Sequence, residues 1–190
     1  MVLVVLALFA GVVALGFHLS ARSIRELRAN VRLGNSMLEA VSRMTGLEIT
    51  FPEPYAHPTV GTIEGYARLN GMMGERRVKV GIASDYGYDD VDALELVIWP
   101  RPGVVWPSLG FLSARRARGR SEFLAAAFER LKPRVERILV EPTSVRIVLR
   151  GKRTGSWLFR RFETGMEPPY LVDTMRMAMS LADELDRSRR

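Results

Sequence analysis

The sequence predicts an α+β fold: an N-terminal transmembrane helix, then one domain whose antiparallel sheet is covered on one face by helices. Three observations predict it. Met1 to Ala21 contains no Asp, Glu, Lys or Arg. The stretch from Thr62 to Trp99 alternates apolar and polar residues around turn-forming ones. Two later stretches, 121–131 and 168–186, repeat apolar residues at helical spacing.

The opening segment is apolar on every side, and as a helix its 21 residues reach about 30 Å, the thickness of a bilayer's hydrocarbon. A secretory signal carries basic residues before its apolar stretch, whereas here Arg22, Arg25, Arg28 and Arg32 all follow it. An uncleaved anchor over residues 1–21 is therefore expected. Because Lys and Arg beside a span favour the cytoplasm, the expected location is the inner (cytoplasmic) membrane, single-pass, with residues 22–190 facing the cytoplasm.

Residues 22–45 read as an amphipathic juxtamembrane helix. Ile24, Leu27, Val31, Gly34, Leu38 and Val41 form its apolar stripe. The stripe either packs on the domain's own sheet, which is favoured, or forms a homodimer through residues 24–41. Three prolines between Phe51 and Pro58 make residues 46–61 a linker or rigid surface loop. The α+β domain then occupies 62–190. Its first strands, Thr62–Leu69 and Arg76–Ser84, are joined by a turn over Asn70–Glu75, and a third runs from Asp92 to Trp99, where Pro100 and Pro102 stop it. Ser121 caps a helix ending near Leu131, strands follow at 137–141 and 144–150, and the prolines at 168 and 169 open a last helix through Asp186.

Composition narrows the function classes. An apolar fraction of 47% with 26% charged residues describes a folding chain. A net charge of +7, carried almost entirely by arginine, favours an anionic partner. The absence of cysteine removes thiolate chemistry and thiolate metal sites. His57, the one histidine after the span, reads as a loop residue. Asp85, Asp89, Asp90 and Asp92 lack the spacing of a calcium loop, and no phosphate-binding glycine motif occurs. No cofactor or metal is expected, and the chain leans away from being an enzyme. If it is one, it acts on a lipid-linked or membrane-proximal substrate, with Asp89, Asp90 and Asp92 as the cluster to test.

Two segments combine aromatic and basic residues: Trp106 and Phe111 leading into Arg115, Arg116, Arg118 and Arg120, and Trp157 leading into Arg160 and Arg161. Beside a bilayer such segments suit an anionic headgroup layer; the favoured alternative is that Trp106, Phe111 and Trp157 cover the sheet's open face while the arginines are solvated. The same composition also suits single-stranded nucleic acid, but no RNP-type strand or GXXG loop accompanies it, which argues against that partner. The expected function is a membrane-anchored, non-catalytic accessory or scaffold protein whose cytoplasmic domain binds a protein partner or the anionic membrane surface. An envelope-assembly component with its domain outside is the alternative if the topology is reversed.

Overall fold

The computed structural model describes residues 28, 29, 31–57, 61–63, 65–83, 93–149, 152–154, 161–163 and 167–188. The predicted anchor, residues 1–21, lies outside them, as do Asp85, Asp89, Asp90 and Asp92. Among the described residues no helix is long and apolar enough to cross a membrane.

A helix over residues 31–45 (α1) precedes β1 (Glu48–Thr50), β2 (Tyr55–His57), β3 (Gly61–Ile63), β4 (Arg68–Met73), β5 (Arg76–Ala83), β6 (Ala93–Ile98) and β7 (Gly110–Phe111). There follow α2 (Ala114–Arg118), α3 (Glu122–Leu131), β8 (Val135–Glu141), β9 (Ser144–Leu149), β10 (Lys152–Thr154), β11 (Arg161–Glu163) and α4 (Pro168–Arg187). Seven strands form one antiparallel sheet in the order β1-β4-β5-β6-β9-β8-β7, while β2 with β3 and β10 with β11 make separate two-stranded ribbons. The α+β class holds.

Side chains alternate between the sheet's two faces. The inward set, including Val78, Val80, Leu94, Leu96, Ile98, Ile138, Val145 and Ile147, joins Leu38 and Val41 of α1, Leu124 and Phe128 of α3, and Leu171, Met175 and Ala178 of α4 in one core. All three of these helices therefore lie on the same face. The outward set is mixed: Arg68, Arg77 and Arg146 are exposed there, while Val97 and Val148 are buried. One row crosses that face from Phe111 through Leu139, Arg146, Val97 and Lys79.

Several sequence expectations shift. The first hairpin turns at Gly74 and Glu75 alone, because Asn70 to Met73 stay extended against β5; Gly74 supplies the left-handed φ of 60° that the reversal needs. The segment read as a linker contributes β1, which pairs with β4 at the sheet's edge. Val31, Gly34, Leu38 and Val41, the described part of the stripe that could have faced a second copy, are buried within this chain, so α1 packs on its own domain as favoured. The α3 helix begins at its expected cap, with the Ser121 hydroxyl accepting from Leu124 N at 3.0 Å.

Candidate functional site

The aromatic and basic segment at 105–123 forms one corner of the domain. Leu109 N donates to Val140 O at 3.2 Å and Leu112 N to Ile138 O at 2.8 Å, which fixes β7 to β8 at the end of the sheet. Ser113 then caps α2 by accepting from Arg116 N. Ala117 is the buried residue of that short helix, which packs on α3. The Arg116 guanidinium turns back, with Nη1 donating to Leu109 O at 2.8 Å and Phe111 O at 2.7 Å. Arg116 thereby fastens α2 to β7 through its Nη1, although the residue as a whole is exposed.

Arg115, Arg118 and Arg120 are different. All three are exposed, and none pairs with a carboxylate among the described residues. On either side of them in the chain stand Phe111, 58% exposed, and Phe123, 74% exposed in the first turn of α3, with Val105 also exposed. Large exposed apolar side chains and exposed arginines thus share one corner. Phe123 went unrecognised in the sequence because it sits one position before the buried Leu124 and reads as part of the helix's apolar face; a helical step of 100° turns it outward.

Trp106 requires a correction. Expected at the surface, it is 2% exposed, and its Nε1 donates to Asp186 Oδ1 at 2.7 Å. An indole with a buried partner for its one donor belongs to the interior. Trp157 and Arg160 lie outside the described residues, and Arg161 opens β11, opposite Thr154 of β10.

Trp106 lies instead beside a buried ionic brace. Arg76 is fully buried on the inward side of β5, and its Nη2 donates to Asp183 Oδ1 at 2.9 Å, to Ala182 O at 3.2 Å and to Asp186 Oδ2. The Trp106 ring lies 5.6 Å from the guanidinium carbon. Arg101 extends the network to the surface, reaching Asp183 at 3.3 Å and Glu75 at 3.1 Å. Nε and Nη1 of Arg76 are buried and have no hydrogen-bond partner among the described residues. With no exposed atom, Arg76 cannot meet a macromolecular partner; it holds the end of α4 to the β4–β5 hairpin. Its parity was the available signal, since Arg76 shares the face of Val78 and Val80 while Arg77 and Lys79 take the other.

A concavity of about 540 Å³ lies between α1 and residues 51–54. Its floor is rigid. Buried Asn35 accepts from Ala67 N at 2.7 Å and donates to Gly65 O at 3.3 Å, and Pro52 packs so closely on Gly65 that a Cβ there would meet Pro52 Cγ at 2.5 Å. Asn35→Ala leaves the Ala67 amide and the Gly65 carbonyl without these partners, so the expected loss is about 1–3 kcal/mol of stability, read as a lowered denaturation midpoint. Arg32, Ser36 and Glu39, all exposed, form the helical rim, and Phe51, 54% exposed, stands opposite.

No protein-family model, curated protein or solved structure matches this chain.

Proposed function

We propose that this is a membrane-anchored, non-catalytic accessory or scaffold protein. Residues 1–21 cross the inner membrane, and the α+β domain rests on the anionic cytoplasmic leaflet through the corner formed by β7, α2 and the start of α3. One observation carries the reading: Arg115, Arg118 and Arg120 are exposed without carboxylate partners among the described residues, between exposed Phe111 and Phe123. A basic side chain near an anionic leaflet contributes about 1 kcal/mol, and a phenyl ring taken out of water adds up to about 3 kcal/mol when fully buried. These are modest energies. They suffice for a tethered domain because the anchor makes docking intramolecular, at high effective concentration. In this reading the exposed Arg68, Arg77 and Arg146 on the outer face of the sheet stay available to a protein partner while the corner sets its orientation.

The test uses the lack of cysteine. Phe123→Cys introduces a unique thiol for a polarity-sensitive fluorophore. Full-length labelled protein in phosphatidylglycerol vesicles should emit at shorter wavelength than in phosphatidylcholine vesicles. In 1 M salt, where the screening length falls to about 3 Å, the difference should vanish. Identical emission in the two lipids would refute leaflet docking.

A further inference from the structure

We propose that the cleft between α1 and residues 51–54 binds a phosphate–ammonium zwitterion, the chemistry of an ethanolamine phospholipid headgroup. Arg32 and Glu39 line this one cavity, and neither forms an ion pair with another described residue. Opposite charges on neighbouring helical turns ordinarily pair at three- or four-residue spacing. These two are seven residues apart, about 10.5 Å along the helix axis, so they flank the cleft instead of closing on each other.

A ligand bearing both charges satisfies both ends at once. The Arg32 guanidinium suits a phosphate, which it can grip with two donors. Glu39 suits an ammonium, and Phe51 on the opposite wall adds an aromatic face of the kind that attracts cations. Ser36 supplies a hydroxyl between them. The volume of about 540 Å³ falls in the range of small-molecule sites and leaves room for the glycerol carbons against Pro52 and Pro54. The Asn35 bonds to Gly65 and Ala67 fix the floor, so the cavity is largely formed before any ligand arrives.

The bilayer as the ligand's source rests on the anchored reading above; the headgroup chemistry does not.

Water-soluble, deacylated headgroups test it on the full-length chain in maltoside micelles, with amide NMR shifts of Ser36 and Gly65 as the readout. Glycerophosphoethanolamine should bind saturably and at least tenfold more tightly than glycerophosphoglycerol. Glu39→Gln should abolish that preference by weakening the former alone, and Arg32→Gln should weaken both; both positions are exposed, and far-UV circular dichroism confirms that the variants fold. Equal affinity for the two headgroups, no saturable shift, or a preference that survives Glu39→Gln would overturn the assignment. Competition by nanodiscs containing ethanolamine phospholipid identifies the bilayer as the source, and its absence identifies a free zwitterion. Success here alongside identical emission in the vesicle experiment would count against leaflet docking alone.

Discussion

Replacing Arg76 with alanine lowers the unfolding free energy by about 3 kcal/mol, near the lower end of the range for breaking a buried ion pair. The loss has two parts. Asp186, only 14% exposed, and the end of α4 lose the charge that compensates them, and the indole of Trp106 loses the group packed 5.6 Å from its ring. Asp183 moderates the effect, because it is 40% exposed and Arg101 remains 3.3 Å away. Against a total of about 5–15 kcal/mol for a domain, this is a large fraction. Arg76→Lys should recover part of it, since the ammonium keeps the charge and three donors but lacks the planar guanidinium that lies beside the Trp106 ring. Urea denaturation followed by tryptophan fluorescence measures both variants. A loss below 1 kcal/mol for Arg76→Ala would mean that the brace contributes little.

Changing Arg115, Arg118 and Arg120 together to glutamine has the largest expected effect on function. At about 1 kcal/mol for each charge, docking weakens by about 3 kcal/mol, or roughly a hundredfold. The folded state should barely respond, because these side chains are exposed and none pairs with a carboxylate among the described residues. Arg116→Gln separates structure from charge. It removes the donor to Leu109 O and Phe111 O, so it should loosen β7 and lower stability. The fluorophore at position 123 reports docking, and the denaturation midpoint reports stability. A triple variant that docks as well as the parent would remove the electrostatic basis of the corner.

Most periodic parts of the fold were legible in the sequence, except the strand read at Thr62–Leu69, which runs instead from Arg68 to Met73, and the short parts were not. The α4 helix shows its apolar stripe at Leu171, Met175, Ala178, Ala182 and Leu185, and each of these is buried. The α3 helix and the strands around Pro142 were read within a residue or two of their ends for the same reason. By contrast β1 has three residues and β7 two, too few for alternation to declare itself, and their pairing depends on partners distant in the chain. Tertiary context also decided Trp106. Its neighbours Val104, Val105 and Pro107 suggest an exposed apolar loop, and only Asp186, 80 residues away, supplies the acceptor that lets the indole go inside. The arginines of α2 were found by composition, but composition could not tell Arg116, held by two carbonyl oxygens, from the outward-facing Arg115 and Arg118.

The central claim is that the first 21 residues hold this folded domain at a bilayer. Alkaline carbonate extraction of membranes from cells expressing the untagged full-length chain tests it most directly. The account predicts that the protein stays in the membrane pellet and dissolves only with detergent. Recovery of an intact, monomeric chain in the supernatant without detergent would contradict it.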